Sequence, residues 1–173
     1  MKRMAETFSG AHMLDADSLG DHIDVLYRVA LALCGSPHDA EDLVQEMCAK
    51  ILKRPRLVRG DSDLGYLIRA LKNTHASWYR STVRQRTERP LLDEDGSHAD
   101  TGETSDISSR ELMEAIASAP EPYRDAVIAV DVVGLSYREA ARELGTNEGT
   151  VTSRLHRGRQ HVARLLAAEA GVC

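Results

Sequence analysis

Aromatic residues are scarce, with one Trp, one Phe and five Tyr in 173 residues. Sheet sandwiches lean on aromatic and β-branched side chains, so this poverty points to helices packed through Leu, Ala and Val. No apolar run approaches the ~20 residues that a membrane-spanning helix needs. The opening MKRMAETFSG carries two early cations but no apolar stretch behind them, so neither membrane insertion nor a signal peptide is expected. Cysteine is sparse too: Cys34, Cys48 and Cys173 do not make a disulfide framework and suit a reducing, cytoplasmic setting. The chain lacks a G-x-x-x-x-G-K-[ST] phosphate loop, a G-x-G-x-x-G turn and a G-x-S-x-G elbow. Its seven histidines are scattered without partnering carboxylates. Cys34-x-x-x-His38 with Cys48 could imitate a zinc site, but both cysteines fall on or near apolar stripes, where buried cysteine is commonplace. No catalytic residue, no cofactor and no metal is expected.

What is present is charge, unevenly distributed. The net charge of −5 looks wrong for a nucleic-acid binder. Between Lys53 and Arg89, however, there are ten Lys/Arg against three Asp/Glu, and between Leu135 and Leu166 six against three. Residues 1–50 carry nine acids against four bases, and residues 90–109 carry six acids and no base. Local charge decides where a polyanion docks, so the two basic segments are the candidate nucleic-acid surfaces.

The periodicity predicts an all-α fold of two small helical domains joined by a flexible acidic linker. Residues 1–18 have no pattern and read as a disordered tail. In the first domain, 19–89, Ile23, Leu26, Tyr27, Ala30, Leu33 and Cys34 repeat at helical spacing. Gly35-Ser36-Pro37 breaks the chain, with Ser36 a plausible N-cap and Pro37 suited to a first turn. A second helix then buries Ala40, Leu43, Val44, Met47 and Ile51 and turns Asp39, Asp42, Gln45, Glu46 and Lys50 outward. On physics alone that polar surface is a solvated face. Arg54 through Asp63 reads as a loop, and a third helix runs from Leu64 to about Arg86. It carries Asn73, Trp78, Tyr79, Arg80 and Arg84; aromatics among cations suit stacking on unpaired bases, although Trp78 could equally be a core residue. Residues 90–108 are the acidic linker, expected to stay extended by self-repulsion. In the second domain, 109–173, a helix starting near Ser108 or Ser109 ends at Pro120 and Pro122, and the next ends at Gly134.

The remaining stretch, Leu135 to Leu166, contains two helical patterns around a tight break. Ser136 and Glu139 form a capping box, Ala140, Ala141 and Leu144 share a face, Gly145 ends the first helix, and Asn147 can cap the second. Val151, Leu155 and Val162 continue an apolar stripe, while Thr150, Thr152, Ser153, Arg154, His156, Arg157 and Arg159 crowd the other faces. A hydroxyl- and arginine-bearing helix braced by a small-residue helix is what major-groove reading requires. A surface helical hairpin with solvating charges is the plainer possibility.

Taken in order, these strings resemble the sigma factors of the extracytoplasmic-function type within the sigma-70 family. The resemblance spans roughly Asp21 to Ala168, linker aside. It rests on A40-E41-D42-L43-V44-Q45-E46 and Y66-L67-I68-R69-A70-L71-K72-N73 in the first half. In the second half it rests on L135-S136-Y137-R138-E139-A140-A141 and on G149-T150-V151-T152-S153-R154-L155-H156-R157-G158-R159. It implies a promoter-specificity subunit in which Asp39, Glu41, Asp42, Gln45 and Glu46 dock on the β′ clamp helices of core RNA polymerase. Arg59, Asn73, Ser77, Trp78, Tyr79, Arg80 and Arg84 would meet the −10 promoter DNA. The helix from Asn147 would read the −35 element, with contacts to the β flap, and the linker would run toward the RNA exit path. An anti-sigma factor, which could hold the protein at the inner membrane face, is a further implied partner. The chain departs from the family pattern at Tyr66, where tryptophan is usual, at Ser77, where aspartate is usual, and at Cys48, where phenylalanine is common. The alternative is a stand-alone helix-turn-helix regulator with an N-terminal sensing or dimerisation domain.

Overall fold

The computed structural model describes residues 11–14, 19–53, 57–59, 63–88 and 104–169. Two amphipathic helices open the first domain: α1 (Ile23–Cys34) and α2 (Pro37–Lys53). Between them Gly35 adopts φ +74° and its N–H donates to Leu31 O (2.7 Å), a left-handed helix cap that an L side chain would strain. The Asp39 N–H donates to Ser36 Oγ (3.4 Å), so the expected cap of α2 forms, though loosely. Leu26, Val29 and Leu33 of α1 meet Leu43, Met47 and Ile51 of α2 and Leu67 and Leu71 of α3 (Asp63–Glu88) in one buried cluster.

Two expectations about this domain need correcting. Ala11–Met13 (β1) and Leu57–Arg59 (β2) pair antiparallel, with His12 opposite Val58. Leu14 is then buried beside Leu19. The stretch 1–18 is therefore not wholly a tail, and the loop before α3 contains a strand. Three-residue strands carry too little period to read, and the pairing joins segments more than forty residues apart. Apart from this ribbon the regular elements among the described residues are all helical, as the all-α reading expects.

The second domain comprises α4 (Thr104–Ala117), α5 (Glu121–Val127), α6 (Tyr137–Glu143) and α7 (Glu148–Glu169). Helix α4 begins at Thr104, within the span assigned to the linker; residues 90–103 of that assignment lie outside the described residues. Thr-Ser-Asp is a composition that favours helix starts as readily as linkers, so the boundary was not separable by pattern. Between α5 and α6 the chain passes through a π-helical turn, Ile128–Val132, closed by the Val133 N–H to Ile128 O bond (2.9 Å), and then through Gly134 at φ +85°. Nothing in the residue pattern announces this turn.

The two domains pack together. Ala115, Ile116, Val127, Leu155 and Val162 from the second belong to the same buried cluster as Leu26 and Leu33 from the first. At Gly35 a Cβ would come within 3.2 Å of Ala117 Cβ, so this glycine also permits the close approach of α4. Two ion pairs cross the seam: Lys72 Nζ to Asp125 Oδ2 (2.5 Å) and Arg69 Nη1 to Glu143 Oε2 (2.8 Å).

Candidate nucleic-acid interface

Helix α7 is the best-defined part of the site. The box before α6 forms in full: the Ser136 N–H donates to Glu139 Oε2 (2.9 Å) and the Glu139 N–H to Ser136 Oγ (3.3 Å). The Ser136 hydroxyl also donates to Glu139 Oε2 (2.6 Å), and that bond first, then the one from the Ser136 N–H, holds the Glu139 carboxyl below its usual range. The Thr150 N–H donates to Asn147 Oδ1 (2.8 Å), which caps the N-terminus of α7. Ala140, Ala141 and Val151 pack where the two helices cross. Small side chains at 140 and 141 are what let α7 sit this close.

Around α7 the predicted residues divide. Val151, Leu155, Gly158 and Val162 are buried, and Thr152, Ser153 and His156 stand exposed on the far side. The hydroxyls of Thr152 and Ser153 donate to their own helix, to Glu148 O (2.9 Å) and Thr150 O (3.0 Å), which leaves their lone pairs outward. Gln160 shares this exposed face, four residues beyond His156; among so many arginines its side chain carries no signal of its own in the sequence. Thr150 and Arg154 are half-buried at its margin. Arg157 and Arg159 occupy the two flanks. Arg157 Nη1 donates to Tyr123 Oη (3.0 Å), with its guanidinium 5.8 Å from the ring centroid. Arg159 makes a two-bond fork on Asp131, Nη2 to Oδ1 (2.6 Å) and Nε to Oδ2 (3.0 Å). Both arginines thus tie α7 to α5 and the π-helical turn rather than standing alone in solvent.

On α3, Asn73, Ser77 and Arg80 are exposed and fall on one face, with Arg69 one turn before Asn73. Tyr79 is 68% exposed and is the aromatic open to stacking. Trp78 is different: it packs against the core, and its indole N–H donates to Glu46 Oε2. The side chains of Arg59 and Arg84 lie outside the described residues. Tyr66 packs against the core, as the usual tryptophan would, and Cys48, also half-buried, packs against the same core. Ser77 is exposed, so its departure from the family's aspartate affects the surface only.

Helix α2 presents Asp39, Glu41, Asp42 and Gln45 to solvent. Glu46 is half-buried at the edge facing α3; Lys50, bonded to it at 2.5 Å, and then Trp78 hold its carboxyl below the ordinary range against the opposing effect of burial. Leu52 is 47% exposed on the same helix, an apolar side chain at the surface that the acidic pattern conceals. Burial pushes the Cys34 thiol up to about 11, with Asp39 adding to the effect, and burial raises Cys48 as well. Neither is an activated nucleophile. No helix among the described residues is long and apolar enough to cross a membrane.

Comparison with known proteins matches the two halves of the chain to two regions of one family. Residues 19–85 match the Sigma-70 region 2 family and residues 109–162 the Sigma-70, region 4 family. The chain is 37% identical over 151 residues to the ECF RNA polymerase sigma factor SigE of Mycolicibacterium smegmatis, covering 84% of this chain but 59% of that one. It is 34% identical over 160 residues to the ECF RNA polymerase sigma factor EcfG of Rhodopseudomonas palustris, covering 87% and 86%. The sigma factor RpoE of Bartonella quintana, solved in complex with the anti-sigma factor NepR, superposes with TM-score 0.69 at 25% identity, over 88% of this chain and 98% of that one. With both regions matched in order, the chain belongs to the sigma-70 family, in its ECF group.

Proposed function

We propose that this chain binds core RNA polymerase and directs initiation at a particular set of promoters, without catalysing any step itself. The observation that carries the reading is the presence of region 2 and region 4 surfaces on one chain: a capped recognition helix in one domain, and an acidic outward face beside a basic, aromatic-bearing helix in the other. In this division of labour Asp39, Glu41, Asp42, Gln45 and Glu46 of α2 meet the β′ clamp helices, and Leu52 adds an apolar contact. Asn73, Ser77, Tyr79 and Arg80 of α3, with Arg59 and Arg84, hold the unpaired −10 strand, and Trp78 supports that face from the core's edge. Thr152, Ser153, His156 and Gln160 face the −35 base edges, with Thr150, Arg154, Arg157 and Arg159 toward the phosphates. The second domain would also touch the β flap, and the acidic linker would follow the RNA exit path. An anti-sigma factor in the cytoplasm, of the kind bound to the Bartonella relative, is the expected inhibitor.

The α2 assignment has a direct test. Asp42→Ala with Gln45→Ala removes polar groups from an exposed face and leaves the fold intact. Co-purification with core polymerase is expected to fall sharply, while helical content and melting temperature stay as in the parent. Undiminished co-purification would reject this face as the docking surface.

A further inference from the structure

A three-residue strand in a helical protein cannot stand by itself, because an isolated two-stranded ribbon is marginal in water. β1 persists because the chain that follows it is anchored. Leu14, directly after Met13, is 3% exposed, and Leu19 is 4% exposed. Both join the buried cluster built from α1, α2 and α3. The His22 N–H then donates to Leu19 O (3.2 Å), where the chain enters α1. The strand is thus fastened to the same core that seats α3.

Its partner lies just ahead of α3. β2 occupies the middle of residues 54–62, the connection from the end of α2 at Lys53 to the start of α3 at Asp63. That connection carries Arg54, Arg56 and Arg59 against one acid, Asp61. In the ribbon Arg59 stands opposite Ala11, Val58 opposite His12 and Leu57 opposite Met13. Pairing fixes the backbone and register of these residues, and a slip of one position would turn each of them to the other face. Ala11, His12 and Met13 bring no carboxylate. The strand therefore has no anion with which to block a phosphate; what it can set is the path of the arginine-bearing backbone.

We propose that β1 is a positioning strap: its pairing with β2 fixes the backbone at Arg59 ahead of α3 and thereby narrows the −10 sequences that the chain accepts. This rests on the reading of Arg59 and α3 as the −10 surface. Residues 11–13 act through β2 and touch neither DNA nor polymerase.

Two measurements on the full chain test the strap and keep its failure apart from that of the underlying reading. In the first, amide hydrogen exchange compares the parent with Ala11→Pro, His12→Pro and Met13→Pro combined, which removes every N–H that β1 can donate. The protected amides among residues 57–59 should exchange roughly tenfold faster in the variant, while those of α1 and α2 keep their parent rates. Unchanged exchange at 57–59 would overturn the strap. In the second, holoenzyme is reconstituted from core RNA polymerase and each protein, and transcripts from a pool of upstream genomic fragments are mapped. The proline variant should associate with core enzyme as the parent does and use the same −35-type element. Its starts should fall roughly tenfold at the parent's preferred −10 sequences and spread over others, because the connection must then be ordered at the moment of binding. Ala11→Val with His12→Thr, both strand-favouring, should keep the parent pattern. An unchanged −10 pattern in the proline variant would overturn the strap, and so would an equal loss at both promoter elements, which would make the strand merely structural. If the parent itself yields no core-dependent starts, the −10 reading falls and takes the proposal with it, while the exchange rates still report the pairing.

Discussion

Gly158 shows how much of the recognition helix depends on one position. A glycine in a helix interior costs about 1 kcal/mol relative to alanine, so substituting alanine should help on propensity alone. Here it should not. A Cβ at this position would lie 2.5 Å from Val127 Cγ2 and 2.9 Å from Tyr123 O, and the second neighbour is backbone that cannot step aside. Gly158→Ala is expected to destabilise the chain by about 1–3 kcal/mol, the usual cost of overpacking. A thermal melt reads this as a lower midpoint, and a rise would show that α7 is less tightly seated. Arg157 and Arg159, on either side of the glycine, read from the sequence as cations of a candidate DNA-binding helix. That they brace α7 through Tyr123 and Asp131 is not legible there, because neither partner is near in sequence. The sequence allows Trp78 either a core or a stacking role, and partial burial with a Glu46 partner places it at the core's edge, with Tyr79 next to it in the chain and exposed.

At the scale of elements, local chemistry was readable and long-range pairing was not. The Ser136–Glu139 box, the Asn147 cap and the apolar stripes of α1 and α2 all follow from residues within one or two turns of each other. The β1–β2 ribbon and the π-helical turn at Ile128–Val132 depend on partners or strain that no short window contains. Helix α6 spans only seven residues, so its start matters in proportion. Ser136→Ala should lower stability by about 1 kcal/mol, and Ser136→Thr by much less, because threonine keeps the accepting oxygen. Chemical denaturation of the two variants against the parent checks the order. Equal midpoints for all three would mean that the box adds nothing to the folded state.

For the whole molecule, segregated charge resolves the puzzle of an acidic protein built to meet DNA. In the proposed reading the basic stretch from Lys53 and helix α7 meet DNA and the acids of α2 meet polymerase, while Asp125 of α5 and Glu143 of α6 pair with α3 at the interdomain seam. His75 makes that seam sensitive to pH. Burial, then the nearby Arg124, push its pKa below 6.5, and Asp125 and Glu121 oppose them only in part. The unfolded chain therefore binds this proton more readily, so the contribution of His75 to stability is complete above pH 6.5 and is lost as pH falls below it. Lowering pH from about 7 to about 5.5 should reduce the melting temperature more for the parent than for His75→Gln. Parallel losses in both proteins would remove His75 from the account.

The central claim is promoter-specific initiation, and one assay addresses it. Purified protein is added to core RNA polymerase with a pool of upstream fragments from the source genome, and transcript 5′ ends are mapped. The account predicts discrete starts that appear only with both components and share a −35-type and a −10-type element. Arg157→Ala should diminish those starts without weakening the association with core enzyme. A stand-alone regulator would bind some of the same fragments and yield no core-dependent starts, and that result would contradict the account.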